Sequence, residues 1–346
     1  MTAPENTNGL FGGHLLKAAG GVPPFVVASG TDAIRDQQAA VRATLHQCLG
    51  TLPPRPAPAA VAVRSREDRG DWIEERFELD NGAGARVPGL LLLPKGRPEK
   101  APGILYCHWH GGEYDGGKAE LLERKHTPAE PGPTLVRRGF AVLAIDAPCF
   151  GERHGRGPDA ERGAAGELSA AKLELWLGRS LWGMLLRDDL IALDYLCSRP
   201  EVDAARIGAT GMSMGATRTW WLMALDERIR SGVAVACLTR YQDLLEAGGL
   251  RHHGIYYYVP GMLGHFDTEA VLAAIAPRSL LCLNGDQDAG SPATGIRTLE
   301  RLASPAWDRL GAPAGFRSVL YPGVGHEYTG EMWNEMLAWF SRTLGP

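Results

Sequence analysis

A serine lies between two glycines in residues 211–215, which read GMSMG and follow an apolar run predicted to be a strand. This G-x-S-x-G pattern, placed between a strand and a helix, is typical of a tight turn that raises a nucleophilic hydroxyl above a sheet. Glycines are needed there because side chains would collide with neighbouring elements. The helix start would also stabilise developing negative charge. We predict Ser213 as a nucleophile, and the alternative is a glycine-rich turn whose serine only begins the helix.

A nucleophilic serine needs a base, and the base needs a carboxylate that orients it. His326 follows the predicted strand 317–321 and is the base we predict, since the other histidines precede the serine or lie in a long insertion. Asp286 and Asp288 both follow the predicted strand 279–283. These are C-terminal ends of strands, the edge at which parallel sheets bind ligands. The residues leave the acid open between the two aspartates, although an aspartate in Gly-Asp, as Asp286 is, suits a turn.

The oxyanion formed during acyl transfer needs two N–H donors. We expect the first to be the amide of Met214, directly after the nucleophile. The second should come from the loop after the predicted strand 103–108, which continues as Trp-His-Gly-Gly. We take the amide of His110 as this donor, with Trp109 and Gly111 as alternatives. The Trp109 side chain, beside this loop, is also expected to contact substrate.

Two other patterns in this loop suggest different chemistry. His108 and His110 have the spacing of metal ligands on an extended segment, where both side chains share a face. Only His126 lies nearby in sequence as a third ligand, so we expect no metal and assign His108 a bracing role. Residues 112–118 match the phosphate-binding pattern G-x-x-x-x-G-K. Ala119 replaces the hydroxyl residue that would hold Mg²⁺, and we expect no nucleotide and no other cofactor.

Short apolar runs alternate with helical stretches along most of the chain, which predicts an α/β fold with a mostly parallel sheet. Helices are predicted at 180–196, 214–225 and 331–344. Two intervals, about 149–180 and 238–276, are long enough to be lids or binding loops. The predicted strands are 72–79, 87–93, 103–108, 141–145, 206–210, 232–237, 279–283 and 317–321.

The first sixty residues differ from this pattern. A helix is predicted at 32–49, and the proline-rich segment 51–59 connects it to the strands, because proline is excluded from helix interiors and central strands. We therefore divide the chain into an N-terminal extension, 1–60, and a catalytic domain, 61–346. Within the second insertion, Tyr257 of a three-tyrosine run is expected to contact substrate, and plain packing is the alternative for that run.

The chain resembles the α/β-hydrolase superfamily over about residues 70–346, with the first sixty residues outside the resemblance. The branch it is most similar to is dienelactone-hydrolase-like, acetylxylan-esterase-like and prolyl-oligopeptidase-like. The likeness rests on RPEVDAARIGATGMSMGA, HWHGG, DAPCFGER, APRSLLCLNGDQD and VGHEY. It implies an α/β-hydrolase fold, with an eight-stranded, mainly parallel sheet flanked by helices, and a serine hydrolase. It also implies that the acid is Asp288.

Three departures from the branch narrow the expected activity. Dienelactone hydrolases use cysteine where this chain has Ser213. Acetylxylan esterases usually carry an H-G-Tyr oxyanion loop, whereas this chain has HWHGG. The residues before the core are too few to build the N-terminal propeller of prolyl oligopeptidases. The resemblance therefore implies a serine carboxylesterase for small or medium esters, acetylated carbohydrate among them. The alternatives are a peptidase or amidase, and a non-catalytic ligand-binding protein.

The composition excludes several other classes of protein. The 346 residues carry 36 Lys+Arg against 40 Asp+Glu, a net charge of −4, which argues against nucleic acid as a partner. The longest apolar run, around 90–93, is too short to span a bilayer, and residues 1–10 lack the pattern of a signal peptide. The six cysteines form no framework spacing. We expect a cytoplasmic protein away from membranes, with a small-molecule ester as its partner; a homo-oligomer stays open.

Overall fold

The computed structural model describes residues 16–17, 20–96 and 99–345. In this part of the chain nine strands form one sheet in the order β1-β2-β3-β5-β4-β6-β7-β8-β9. The strands are β1 (Ala60–Asp68), β2 (Trp72–Asp80), β3 (Arg86–Pro94), β4 (Ala101–Cys107), β5 (Ala141–Ile145), β6 (Val202–Met212), β7 (Ile229–Val235), β8 (Ser279–Gly285) and β9 (Phe316–Tyr321).

Helices follow the strands from β4 onward and cover both faces of the sheet. The six strands β5, β4, β6, β7, β8 and β9 run parallel to one another. At the other end of the sheet, β1, β2 and β3 pair antiparallel, and β3 pairs antiparallel with β5. The predicted α/β-hydrolase fold with a mostly parallel sheet is therefore confirmed. The helices are α1 (Thr31–Leu49), α2 (Pro131–Arg137), α3 (Gly163–Trp176), α4 (Leu181–Ser198), α5 (Met214–Leu225), α6 (Tyr241–Glu246), α7 (Thr268–Ala273), α8 (Ala293–Arg309) and α9 (Gly330–Thr343).

The sheet has one strand more than the eight that were predicted. The additional strand is β1, which pairs only with β2 at the edge and is largely exposed. Its second half reads RSRED, and an edge strand with solvent on both faces needs no alternation of apolar and polar residues. The missing alternation explains why the sequence did not reveal it. The other eight strands lie at the predicted positions to within a few residues.

The helix predicted in the N-terminal extension is α1, and it packs against the rest of the fold. Its buried side is formed by Ile34, Gln38, Val41, Leu45 and Leu49. The Gln38 side-chain amide donates hydrogen bonds to the carbonyls of Ala273 and Ala276, at 2.9 and 2.7 Å. The extension is thus anchored to the segment that leads into β8. No helix of the described residues is long and apolar enough to cross a membrane.

Candidate active site

The turn between β6 and α5 places Ser213 at the centre of the candidate site. Ser213 has φ 58° and ψ −117°, so a residue with a side chain is held in a backbone region that normally favours glycine. A Cβ added at Gly211 or at Gly215 would lie 2.1 or 2.0 Å from the carbonyl oxygen of Cys107. Both flanking glycines are therefore required because the turn presses against the end of β4, which is the close approach that the motif predicts.

His326 lies between Ser213 and Asp288. Its Nε2 is 2.9 Å from the Ser213 hydroxyl oxygen, and its Nδ1 is 2.7 Å from a carboxylate oxygen of Asp288. The other oxygen of Asp288 accepts the Gly290 N–H at 2.9 Å, and the carboxylate is buried. A buried carboxylate that accepts Nδ1–H leaves Nε2 as an acceptor facing the serine hydroxyl. This arrangement can take a proton from the serine as its oxygen attacks a carbonyl carbon.

Asp286, the alternative acid, does not contact His326. Its carboxylate accepts the Gly323 N–H at 2.8 Å and the side-chain amide of Gln287 at 3.0 Å. The Gln287 bond, followed by the Gly323 bond, lowers the pKa of Asp286 below its ordinary value. Asp286 therefore closes an exposed turn, the role that its Gly-Asp context suggested. Of the two aspartates, Asp288 is the one whose carboxylate contacts His326.

The backbone around the serine narrows the choice of oxyanion donors. Met214 is the first residue of α5, and an N–H there has no acceptor within its own helix. The Trp109 N–H donates to a carboxylate oxygen of Glu120 at 2.9 Å, so this amide is already used. Of the three donors considered in the loop after β4, His110 and Gly111 are left. Both line the cleft together with Ser213.

Two buried side chains that the sequence analysis did not single out as site residues brace this loop. Glu120 accepts the Trp109 N–H and also the Tyr106 O–H, the latter at 2.5 Å. Burial raises the pKa of Glu120 to about 7. Arg218, on α5, pairs with Asp189 in the core and donates to the carbonyl of His108 at 3.4 Å. Charged residues are by default read as exposed, so their sequence context carried no signal of these roles.

The histidines of the loop are engaged by the protein itself. His108 Nε2 accepts the Ala147 N–H at 3.1 Å, which places its proton on Nδ1, 2.8 Å from the carbonyl of Trp109. Burial, and then the charge of Arg218, lower the pKa of His108, so the ring is neutral at neutral pH. Both ring nitrogens thus hold the backbone, which agrees with the bracing role that was predicted. Lys118, of the phosphate-like pattern, is paired with Asp146 at 2.8 Å.

A cleft of about 810 Å³ lies above Ser213 and His326. The loop after β4 forms one part of its wall, including the side chain of Trp109 that was expected to contact substrate. Both insertions also contribute, as expected of binding loops. Its remaining lining comes from Tyr114, from Gly163, Ala164, Glu167 and Leu168 of the first insertion, and from Arg251, His252, His253, Gly254, Ile255 and Tyr256 of the second.

Tyr257, predicted to contact substrate, is not among the described residues that line this cleft. Its ring is buried and stacks on the imidazole of His253, with centroids 4.0 Å apart and planes at 10°. Tyr256 lines the cleft instead and stacks on His110 at 4.9 Å. Successive residues of a tight turn point in different directions, so the tyrosine run splits between the two roles that were considered. The prediction for Tyr257 was wrong by one position.

Three comparisons with known proteins agree with this architecture. The chain is 35% identical over 305 residues to a Bacillus subtilis (strain 168) protein named "Putative hydrolase YtaP", covering 88% of this chain and 98% of the relative. A solved structure described as "a putative acetyl xylan esterase" from Bacteroides fragilis NCTC 9343 superposes with a TM-score of 0.74 at 19% identity, covering 94% of each chain. A glucuronoyl esterase from Solibacter usitatus gives 0.71 at 18% identity, covering 94% of this chain and 99% of that one.

A model of the Abhydrolase family matches residues 15–293. This match begins inside the N-terminal extension, so the expectation that the family likeness excludes the first sixty residues was wrong. Helix α1 explains the difference, because it is packed into the fold and is not a separate appendage. The matched residues span α1, the strands β1 to β8 and the turn that carries Ser213. The chain belongs to the Abhydrolase family.

Proposed function

We propose that this protein is a serine carboxylesterase that cleaves small or medium carboxylic esters through an acyl-enzyme on Ser213. The observation that carries the proposal is the hydrogen-bonded series from Ser213 through His326 to the buried carboxylate of Asp288. Ser213, His326 and Asp288 follow the ends of three different strands. The fold itself does not require three such residues to be hydrogen-bonded in series.

The proposed reaction proceeds in four steps. The Ser213 oxygen attacks the ester carbonyl while His326 Nε2 takes its proton. The amide of Met214 and one amide of the loop, His110 or Gly111, stabilise the oxyanion. His326 then protonates the departing alcohol, and a water activated by the same nitrogen releases the acid from Ser213. Asp288 keeps the imidazole in the required tautomer and stabilises its charged form.

The cleft supports an ester with a polar, ring-shaped part. Trp109 and Tyr256 contribute aromatic rings to its lining, while Arg251 and His252 contribute polar side chains. Aromatic faces with neighbouring hydrogen-bonding groups suit a sugar ring, whose C–H faces are apolar and whose edges carry hydroxyls. The similar solved structures include proteins named acetyl xylan esterase and glucuronoyl esterase. An acetylated carbohydrate is therefore the first natural substrate class to test.

The experiment is hydrolysis of p-nitrophenyl esters, acetate through octanoate, by the wild type and by Ser213→Ala. We expect the substitution to lower kcat by about 10³-fold or more, because the nucleophile is lost. Ser304→Ala is the matched control, since Ser304 is partly exposed on α8, does not line the cleft, and its hydroxyl donates to the carbonyl of Glu300. Full activity in Ser213→Ala would refute the proposal. Activity on amides alone would favour a peptidase, and inactivity on both classes would favour a binding protein.

A further inference from the structure

Both ring nitrogens of His110 are held by hydrogen bonds in the wall of the cleft. Its Nδ1 accepts the Gly112 N–H at 3.0 Å, so Nδ1 carries no proton. The proton is therefore on Nε2, which lies 3.1 Å from a carboxylate oxygen of Glu167. The Gly112 bond closes the turn in which Gly111 and Gly112 have φ values of 50° and 78°. The tautomer of His110 and the curvature of the oxyanion loop are thus linked.

Aromatic rings hold the same imidazole on three sides. Tyr256 stacks on it at 4.9 Å, and Tyr114 and Phe150 meet it edge-on, each at 5.1 Å. These contacts restrict the ring to one orientation, in which Nε2 faces Glu167. The side chain of His110 is therefore a fixed part of the protein, and its backbone amide is one of the two remaining candidates for the second oxyanion donor.

Glu167 lies on α3 of the first insertion and is buried despite its charge. One carboxylate oxygen contacts His110, and the other accepts the Tyr114 O–H at 3.3 Å. A Cβ at Gly254, in the second insertion, would lie only 3.0 Å from this second oxygen. The carboxylate therefore joins the oxyanion loop to the first insertion and lies close to the backbone of the second. Burying a carboxylate is costly unless it is hydrogen-bonded, and its partners here all belong to the cleft wall.

We infer that Glu167 is a positioning residue for the esterase reaction, acting on the oxyanion donors through His110. The inference rests on the proposed function. The Glu167 carboxylate holds the Nε2–H tautomer of His110, this tautomer accepts the Gly112 N–H, and this bond fixes the peptides of residues 110–112. Without the carboxylate, His110 can take the Nδ1–H tautomer, which cannot accept from Gly112. The His110 and Gly111 amides then lose their fixed direction towards the oxyanion.

The test compares Glu167→Ala, Glu167→Asp and Glu167→Gln with the wild type. Glutamine keeps an oxygen that can accept the Nε2–H of His110, whereas aspartate draws the carboxylate back by one methylene without opening a large cavity. Glu174→Ala is the matched control, because Glu174 lies on the same helix and pairs with Arg179 away from the cleft. The readouts are kcat and KM for p-nitrophenyl acetate, inhibition by an alkyl trifluoromethyl ketone, and hydrogen–deuterium exchange of residues 108–114.

We expect Glu167→Ala and Glu167→Asp to lower kcat by about 10- to 100-fold with little change in KM, since full loss of one oxyanion donor costs about 10²- to 10³-fold. The ketone adds Ser213 to form a tetrahedral oxyanion, so its inhibition constant should rise by the same factor as kcat falls. Exchange of residues 108–114 should become faster. Glu167→Gln should recover most of the loss, and Glu174→Ala should match the wild type.

A purely structural role for Glu167 would lower the melting temperature and leave the kcat of the folded protein and the ketone inhibition unchanged. That result, or slow exchange at 108–114 in Glu167→Ala, would overturn the inference. Failure of the proposed function looks different, because the wild type itself would then show no Ser213-dependent hydrolysis. The exchange measurement needs no substrate, so it would still decide whether Glu167 holds the loop.

Discussion

Replacing Glu120 by glutamine should change how the stability of this protein depends on pH. The carboxyl group is buried beneath the oxyanion loop, and burial raises its pKa from an ordinary 4.5 to about 7. A carboxyl whose pKa is raised in the folded state stabilises the fold below pH 4.5 and loses that contribution as the pH rises through 7. The loss is about 3 kcal/mol in all, and most of it falls between pH 5 and pH 8.

Glu120→Gln removes this titration but keeps an oxygen that can accept the Trp109 N–H. The free energy of unfolding of the variant, relative to the wild type, should therefore rise by about 2–3 kcal/mol from pH 5 to pH 8. Urea unfolding at half-unit pH steps, with the slope against urea compared at each step, measures this difference. Glu123→Gln, at an exposed position three residues on, should leave the wild-type profile in place. A Glu120→Gln difference that stays flat to within about 0.5 kcal/mol would refute the reasoning.

Two further substitutions test the geometry around Ser213. Asp288→Asn should lower kcat by about 10⁴-fold, because the imidazole loses the acceptor that fixes its tautomer. The kcat of Asp286→Asn should stay within about threefold of the wild-type value. Ester kinetics measure both variants, and equal losses of kcat would contradict the assignment of Asp288 as the acid. Gly215→Ala should destabilise the fold by about 2 kcal/mol or more, since its new methyl group would overlap the last carbonyl of β4 at 2.0 Å. Thermal unfolding measures this, and an unchanged midpoint would show that the turn can relax.

The strand ends are what made the nucleophile, base and acid predictable from the sequence. Strands inside a parallel sheet read largely as apolar runs. Ser213 and Asp288 come one and three residues after β6 and β8, and His326 comes five residues after the edge strand β9. Residues that follow different parallel strands lie close together in space, because parallel strands bring their C-terminal ends to one edge of the sheet. The choice of Asp288 over Asp286 needed the family resemblance, and the structure adds the 2.7 Å contact to His326.

The surroundings of the site could not be predicted in the same way. Glu120 and Glu167 are carboxylates on helical segments, a context that normally indicates solvent exposure, and both are buried by contacts with the loop after β4. The amide of Trp109 is excluded as an oxyanion donor only by its contact with Glu120. The direction of Tyr257 likewise depends on the local turn and on His253. Side-chain contacts in the folded protein decide all of these roles, and the pattern of apolar and polar residues in the sequence does not reveal them.

The anchoring of α1 has a consequence for the order in which the chain can fold during synthesis. Gln38 bonds to the carbonyls of Ala273 and Ala276, which lie 235 and 238 residues later in the chain. Helix α1 is made early but cannot reach its docking site until most of the protein has left the ribosome. During that interval its apolar side, with Ile34, Val41 and Leu45, lacks part of its native packing. The side of α1 that docks against Ala273 and Ala276 therefore stays uncovered until the segment that leads into β8 has been made.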